Sequence, residues 1–428
     1  ISILLFASII SVWIQLRQWL LFTGNIWTVD LPPKGRPFAN MAQPNQLSTL
    51  LIMGIMSVVY LFENKKINKW VAGLTAFFLL CGIVLAQSRT AWVFYVCFLV
   101  WWLIKNKQIA MYIRPLYIIG WGGVFLSLWI ALPSLANFLG VSYLQSATER
   151  ATTGLDRLYQ WQQILFILKD SPFWGYGWGQ LNIAQLSNHT DFIKNPILGY
   201  SHNLFLDLMI WNGVILGFII SCLIVFFLLK VAIRSKDKES IILLSMVGAI
   251  FTHSMLEYPF AYAYFLLPVG FLLGVIQAHT RTSVATWQLS ANLNTFILVL
   301  SILLYGLIWR DYLSAADALN QGRKHSDQGI PLVKPDHLYV LDQFDQRAEW
   351  YYLNRFSYLT PKQLERYHHV VVITPTHYDL YKYAQLLAYN GKMQQAQHQL
   401  KLIHGLYRVD HPYNQLLLDQ DHNGNPLH

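Results

Sequence analysis

Long apolar stretches alternate with short polar segments from the first residue to about residue 309. Crossing a bilayer as a helix takes about 20 mostly apolar residues, and nine stretches reach or approach that length. They are Ile1–Leu16, Leu47–Phe62, Trp70–Ala86, Ala91–Ile104, Leu116–Leu135, Leu204–Leu229, Ile241–Phe251, Phe260–Ile276 and Leu293–Ile308. The pattern predicts an all-α polytopic membrane domain over residues 1–309, with about nine transmembrane helices.

Basic residues concentrate in every second connection between these stretches. They are Lys65, Lys66 and Lys69, then Lys105, Lys107 and Arg114, then Lys230, Arg234, Lys236 and Lys238, and finally Arg281. Short basic loops face the cytoplasm, so the remaining connections are predicted to face outward. These outward segments hold all the unusual polar motifs: Gly24–Gln46, Gln87–Thr90, a long loop over 136–201, the turn His253–Pro259 and the tail after Trp309.

The tail, residues 310–428, is polar and is predicted to form a separate helical domain. Apolar positions at helical spacing predict two helices on either side of Asn390-Gly391. A tetratricopeptide-type hairpin and a plain helical pair both fit this pattern.

Composition agrees with a membrane protein, because only 12% of the residues are charged and 54% are hydrophobic. About 25% charged residues is usual in soluble domains. The three cysteines lie in apolar stretches, and no Cys/His cluster has metal-ligand spacing, so neither disulfides nor a metal or cofactor are expected. Membrane lipids are expected partners and nucleic acid is not. Because the chain begins inside an apolar stretch without methionine, further helices are expected before Ile1.

The segment Ser171–Gly217 is the most unusual part of the chain. A loop reading Ser-Pro-Phe-Trp-Gly-Tyr-Gly-Trp-Gly is followed by Ser201-His202-Asn203 and then by the apolar stretch from Leu204. A histidine at the mouth of a membrane helix is suited to proton transfer. A His-Asn helix cap is the alternative interpretation.

Two arginines stand next to apolar segments. Arg89 lies in Gln87-Ser-Arg-Thr between two predicted spans, where it either extends to the lipid headgroups or meets a partner. Arg157 falls on the apolar stripe of a predicted helix over Leu155–Lys169, together with Leu158, Trp161, Ile164, Leu165 and Leu168, whereas Gln160 and Gln163 fall on the wetter face. An inward guanidinium needs an anion: a lipid phosphate, a bound pyrophosphate or an acid from another helix.

Further polar side chains occur in two of the outward segments. The first loop contributes Arg36, Gln43 and Asn45, and the turn Thr252–Pro259 contributes His253, Glu257 and Tyr258. His253 and Glu257 would share a face if their helix continued, although Pro259 indicates that it ends there. No acid pair is present to hold a divalent ion, whereas guanidinium groups bind phosphate oxygens bidentately. The set therefore suits metal-free transfer from a lipid-linked diphosphate.

These motifs resemble a known superfamily. Gln87-Ser-Arg-Thr, Arg157 with the glycine-rich loop, and Ser201-His-Asn-Leu resemble the O-antigen ligases and polymerases. Arg36-Pro-Phe-Ala-Asn-Met-Ala-Gln-Pro-Asn-Gln and His253-Ser-Met-Leu-Glu-Tyr-Pro resemble, more narrowly, the bacterial protein O-oligosaccharyltransferases of the pilin glycosylation ligase kind.

The resemblance implies a GT-C-like enzyme of the bacterial inner membrane whose active site faces the periplasm. It would transfer a preassembled oligosaccharide from undecaprenyl diphosphate to serine or threonine of a protein such as a pilin. His202 would be the essential histidine, Tyr258 a catalytic tyrosine, and Arg89 and Arg157 the diphosphate ligands. Gln43, Asn45, Arg36, Asn203, His253 and Glu257 are further candidate site residues.

Three other functions remain open from the sequence. An O-antigen ligase, with lipid A core as acceptor, and a polymerase would use the same donor and chemistry. A transporter of lipid-linked glycan is the third, and it would place polar groups and broken helices at mid-depth. The polar motifs instead lie at one face, which counts against transport. For the enzyme, the expected mechanism is a single displacement with inversion at the anomeric carbon.

Overall fold

The computed structural model describes residues 1–22, 35–141, 147–187, 197–280, 289–325 and 336–418, and all regular structure within these ranges is helical. The first eleven helices are α1 (Ser2–Trp19), α2 (Pro44–Glu63), α3 (Lys69–Ala86), α4 (Arg89–Asn106), α5 (Pro115–Phe138), α6 (Ala147–Lys169), α7 (Leu181–Ser187), α8 (Leu204–Asn212), α9 (Val214–Arg234), α10 (Lys238–Ser254) and α11 (Ala263–His279). The last five are α12 (Ala291–His325), α13 (Gln343–Tyr352), α14 (Pro361–Ile373), α15 (His377–Tyr389) and α16 (Met393–Tyr407). The all-α prediction is confirmed.

Among the described residues, six helices are long and apolar enough to cross a membrane, namely α1, α2, α3, α5, α9 and α12. Helix α11 is apolar but shorter. A multi-pass membrane protein is therefore confirmed, whereas the count of nine spans and the outward side stay predictions. Arg281, which the charge pattern included, lies outside the described residues.

The chain forms two compact units. The first comprises Ile1–Gln162 and Tyr200–Ser283, and the second comprises Gln163–Gly199 and Val284–His428. The predicted domain boundary after residue 309 stays a prediction.

Helix α2 is central to the first unit. It packs against α1, α3, α4 and α10, and Leu47, Leu51 and Met53 on it are almost completely buried. Its first turn contains Asn45 and Gln46, both buried. Polar groups at the start of this helix are therefore placed inside the unit.

Helix α1 carries a stripe of buried polar side chains at helical spacing: Ser8, Ser11, Gln15 and Gln18. The Gln18 Oε1 atom accepts hydrogen bonds from the backbone N–H groups of Phe38 and Ala39, at 2.8 and 3.0 Å. Helix α1, predicted as a plain apolar span, thus fixes the loop that contains Arg36.

The predicted span Leu204–Leu229 was wrong as a single helix. Helix α8 ends at Asn212 and α9 begins at Val214, with Gly213 between them at φ 81° and ψ 159°. Glycine adopts this backbone conformation without a Cβ penalty, so the chain breaks there. The break leaves α8 as a short separate helix directly after His202-Asn203.

Substituting Gly217 by alanine will destabilise the α8–α9 pair. A Cβ at Gly217 would lie 2.4 Å from Met209 Cα and 2.5 Å from the Leu208 carbonyl oxygen, which are backbone atoms that cannot move aside. Overpacking of this kind costs about 1–3 kcal/mol. Thermal unfolding in detergent will show a lower Tm for Gly217→Ala. The control, Gly120→Ala, has no atom within 4 Å of the added Cβ and lies inside α5, so it will not lower the Tm. Equal Tm values for both variants would contradict the close α8–α9 packing.

The second unit includes a small helical core formed with α13–α16. Trp350 and Leu386 are fully buried there, and Asp379 accepts hydrogen bonds from Trp350 Nε1 at 2.8 Å and from Arg347 Nη2 at 2.7 Å. Helices α15 and α16 meet at Asn390-Gly391. The two predicted tail helices are confirmed, and their tetratricopeptide character stays a prediction.

Candidate active site

A buried carboxylate, Glu257, stands at the centre of the candidate site. It lies in the turn after α10, and its side chain is only 4% exposed. Oε2 is 2.7 Å from His202 Nδ1, and Oε1 accepts a hydrogen bond from Asn45 Nδ2 at 2.9 Å. Arg157 forms an ion pair with Oε1 and donates its second Nη to the Leu256 carbonyl oxygen. The buried charge is therefore compensated on both oxygens.

These partners decide the protonation state of Glu257. Burial acts to raise its pKa, but the hydrogen bond from His202 and the positive charge of Arg157 outweigh burial and bring the pKa to about 2. The carboxylate is thus ionised at neutral pH.

The loop that carries His202 is held from both sides. Ser201 donates its backbone N–H to Asp207 Oδ1 at 2.8 Å, and its carbonyl oxygen accepts a hydrogen bond from Trp161 Nε1 at 2.9 Å. His202 itself has a φ of 60°, which is uncommon for a residue other than glycine. Such a conformation persists only where the surroundings impose it.

The helix-cap role belongs to Asn203 rather than to His202. The Asn203 side-chain oxygen accepts hydrogen bonds from the backbone N–H groups of Phe205 and Leu206, at the start of α8. Its Nδ2 donates to the Met255 carbonyl oxygen at 3.2 Å, which ties α8 to the Glu257 turn. The His202 imidazole is therefore available for chemistry.

One ring nitrogen of His202 is left for a substrate. Because Glu257 is ionised, Nδ1 is the nitrogen that donates its N–H to the carboxylate, so in the neutral ring Nε2 holds the lone pair. Within the described ranges, no hydrogen bond from the protein occupies Nε2, and the side chain is 23% exposed. An imidazole oriented by a carboxylate in this way can accept a proton from a hydroxyl group.

Arg36 and Arg89 are both located at the junction where α3 ends and α4 begins. Gln87 ends α3 in a left-handed conformation, with φ 50°, and Ser88 precedes α4. Arg36 Nη1 donates to the carbonyl oxygens of Ala86 and Gln87, at 3.3 and 3.1 Å. A cation is favourable at that helix end. Arg89 is the first residue of α4 and is exposed. Its positive charge adds to the partial positive charge of the helix N-terminus, so the position favours binding of an anion.

Arg157 is paired with Glu257, and Arg36 and Arg89 lie near enough to interact electrostatically with both. Burial lowers the pKa of Arg36, and the charges of Arg89 and Arg157 act in the same direction while Glu257 opposes them. These groups are therefore electrostatically coupled, and positive charge exceeds negative charge in the cluster. Such a cluster is suited to an anion with several oxygens, such as a diphosphate.

Tyr258 forms the aromatic side of the site. Its ring stacks on Tyr200 at 4.7 Å and meets the His202 ring edge-on at 5.1 Å. Burial, followed by the neighbouring Tyr262 and Glu257, raises the pKa of Tyr258, so the phenol stays protonated and can donate a hydrogen bond. Tyr200 was not among the predicted site residues, although its place two residues before His202 was a usable signal.

The side chains of Gln43 and His253, two further predicted site residues, make no described hydrogen bond to Glu257, although the His253 carbonyl oxygen accepts one from the Glu257 backbone N–H at 2.8 Å. Gln43 is the residue before α2 and makes no capping hydrogen bond with its side chain. His253 is buried in α10, with Nδ1 2.9 Å from Thr49 Oγ1 and with no described hydrogen-bond partner for Nε2. Helix α10 ends at Ser254, as Pro259 indicated, so His253 and Glu257 do not share a helix face.

The stripe predicted around Arg157 on α6 was correct only in part. Ile164 and Leu168 are buried, but Leu158 and Leu165 are 52% and 54% exposed, and Gln163, predicted on the wetter face, is buried. Of the three anionic partners considered for Arg157, the structure shows a protein acid, Glu257.

Three family profiles match successive parts of the chain. They are described as protein glycosylation ligase, over residues 37–62, O-antigen ligase, over 74–222, and virulence factor membrane-bound polymerase, C-terminal, over 241–417. The chain is 36% identical to the general O-oligosaccharyltransferase of Acinetobacter baylyi over 423 residues, which are 97% of this chain and 74% of that protein. The ComP-specific O-oligosaccharyltransferase of the same organism is 33% identical over 390 residues, 89% of this chain and 69% of that protein.

The chain belongs to the bacterial O-oligosaccharyltransferases of the O-antigen ligase superfamily. The relatives therefore support a glycosyl-transferring enzyme. No solved structure matches this O-oligosaccharyltransferase.

The matched regions contain nearly all the site residues. Gln43 and Asn45 lie in the first region, Arg89, Arg157, His202 and Asn203 in the second, and His253, Glu257 and Tyr258 in the third. Arg36 lies one residue before the first region. In this O-oligosaccharyltransferase, Glu257 therefore brings together side chains from all three matched regions.

Proposed function

We propose that this O-oligosaccharyltransferase transfers a preassembled oligosaccharide from undecaprenyl diphosphate to serine or threonine hydroxyl groups of a protein. The His202–Glu257 pair beside the arginine cluster is the observation that supports this most strongly. It combines a group that can activate a hydroxyl with groups that can hold a diphosphate. The names of the two Acinetobacter relatives support a protein acceptor.

The proposed reaction is a single displacement. The acceptor oxygen attacks the anomeric carbon, the bond from that carbon to the diphosphate oxygen breaks, and the diphosphate leaves with the electron pair. His202 Nε2 takes the hydroxyl proton as the new bond forms, while Glu257 stabilises the imidazolium. The anomeric configuration is inverted, and a retained configuration in the product would contradict this mechanism.

The arginines would neutralise the leaving diphosphate. Arg89 at the start of α4 contacts it directly in this proposal. Arg157 has five N–H donors, and the bonds to Glu257 and Leu256 use two of them. It can therefore bind the diphosphate while it remains paired with Glu257. Tyr258 would donate a hydrogen bond to donor or acceptor, and the reaction would not need a metal ion or cofactor.

The site is proposed to face the periplasm from the inner membrane, and a pilin is one suitable acceptor. Ligation to lipid A core is the second candidate function, because the O-antigen ligase profile covers residues 74–222 with Arg89, Arg157 and His202. The two functions share the donor and differ in the acceptor.

Substituting Arg89 by glutamine will weaken use of the donor. A hydrogen bond to a charged group is worth about 1.5–3 kcal/mol, so kcat/KM for the lipid-linked donor will fall about 10- to 100-fold, and Arg89→Lys will recover part of the loss. Initial rates at varied donor concentration will measure this. Arg114→Gln, which removes an exposed arginine before α5, is the matched control and will match the unaltered enzyme. A rise in the KM of the acceptor alone would contradict a contact between Arg89 and the donor diphosphate.

A further inference from the structure

A large apolar cavity lies within the first unit, between α2, α3, α4 and α5. Its volume is about 610 Å³, within the range of pockets that hold a drug-sized ligand. Five of its lining residues have polar side-chain atoms other than sulfur: Lys69, Tyr95, Tyr112, Tyr117 and Trp121. The rest of the wall consists of residues such as Ile52, Val59, Ala76, Leu80, Phe94 and Phe125.

The polar end of this cavity is built by the segment between α4 and α5. Glu63, whose side chain is 0% exposed, accepts hydrogen bonds from the backbone N–H groups of Tyr112 and Ile113 at 3.0 and 2.7 Å. These bonds hold Tyr112 in the wall. Two ammonium groups face the Tyr112 ring, with Lys65 Nζ at 5.0 Å and Lys238 Nζ at 4.2 Å from its centroid.

Positive charge is in excess at this end. Lys238 is paired with Glu63 at 3.2 Å. Lys65 and Lys69 are both exposed, and neither has a carboxylate within ion-pair distance in the part of the chain that the structure describes. An anion bound here would therefore be stabilised by two lysines whose charges no described carboxylate neutralises.

The walls of the cavity favour an apolar occupant. A cavity with such walls does not hold water, and an empty one leaves its lining atoms without dispersion contacts. The protein crosses a bilayer, so hydrocarbon chains are the abundant apolar groups around it. Tyrosine and lysine at one end match the headgroup level, where amphipathic side chains concentrate.

We propose that this cavity binds an anionic phospholipid, with an acyl chain between α2 and α5 and the phosphate beside Lys65 and Lys69. The site is distinct from the Glu257 network. Helix α3 runs from Lys69 at the phosphate end to Ala86, beside Arg36, at the other end. The polyprenyl chain of a glycan donor is the competing occupant, and it would not require a phosphate beside Lys69.

The test is lipid-dependent thermal stability of the purified, delipidated full-length protein in detergent. Phosphatidylglycerol, phosphatidylcholine and undecaprenyl phosphate are titrated separately. Gly73→Leu fills the cavity, because Gly73 lines it and no atom lies within 4 Å of an added Cβ. Gly123→Leu is the matched control, on α5 outside the lining and equally unobstructed.

Phosphatidylglycerol is expected to raise the Tm of the unaltered protein and of Gly123→Leu, but not of Gly73→Leu. Lys69→Gln, an exposed substitution that leaves the cavity intact, will weaken the apparent affinity for phosphatidylglycerol about fivefold and reduce its advantage over phosphatidylcholine. Stabilisation of Gly73→Leu equal to that of the control would overturn the proposal. A Gly73-dependent response to undecaprenyl phosphate without one to phosphatidylglycerol would assign the cavity to the donor instead.

Discussion

Replacing His202 with alanine is expected to lower the rate of glycan transfer about 10²- to 10⁴-fold, the usual contribution of a general base. The variant loses the nitrogen that accepts the hydroxyl proton and leaves Glu257 paired with Arg157 and Asn45 only. The measurement is the initial rate of transfer to an acceptor protein in membranes that contain the enzyme and the lipid-linked oligosaccharide.

A second histidine supplies the control for this experiment. His279 lies at the end of α11, is 40% exposed and is near Glu239 rather than the candidate site. His279→Ala should transfer glycan at the unaltered rate. Full activity of His202→Ala at equal expression would show that His202 is a structural residue of the loop before α8.

Replacing Glu257 with glutamine is expected to lower kcat about 10²-fold. Glutamine has nearly the same shape but no charge, so the orientation of His202 and the position of Arg157 both loosen, and misplacement by about 1 Å can cost that much. Glu257→Asp keeps the charge but shortens the side chain, and it will retain more activity than the glutamine variant if charge dominates. A change confined to the KM of the acceptor would contradict this positioning role.

Glu257 also gives the protein a defined sensitivity to acid. Its pKa in the folded protein, about 2, lies below the ordinary value of 4.5, so the ionised form stabilises the fold at neutral pH. That contribution is complete above pH 4.5 and is lost as the pH falls toward about 2. The Tm of the unaltered protein will therefore fall over this pH range more steeply than the Tm of Glu257→Gln. Glu365→Gln, on the exposed face of α14, will follow the unaltered curve.

The sequence predicted the helices well where hydrophobic periodicity alone determines them. The apolar stretch Trp70–Ala86 appears as α3, one residue longer, and the tail helices appear on both sides of Asn390-Gly391. The Leu204–Leu229 stretch failed because a single glycine conformation at Gly213, invisible to hydropathy, divides it. The polar stripe of α1 was missed because its serines and glutamines are spaced among apolar residues, and the mean hydropathy of the helix, 1.2, still reaches that of a membrane span.

The residues of the candidate site could be selected from sequence, but their pairing could not. Glu257 binds Asn45, Arg157 and His202, which lie 212, 100 and 55 positions away along the chain. Periodicity places residues on a helix face, whereas contacts over such separations depend on how the helices pack. The central position of Glu257, and the Tyr200 ring stacked on Tyr258, therefore required the structure.

The acceptor is the most direct test of the proposed function. The purified full-length enzyme is incubated with an undecaprenyl-diphosphate-linked oligosaccharide, an acceptor protein and lipid A core, and the products are identified by mass. The proposal predicts that a serine or threonine peptide of the acceptor gains the mass of the whole oligosaccharide. An unmodified protein, with the glycan found on lipid A core or lengthened on its own lipid carrier, would contradict it and identify a ligase or a polymerase.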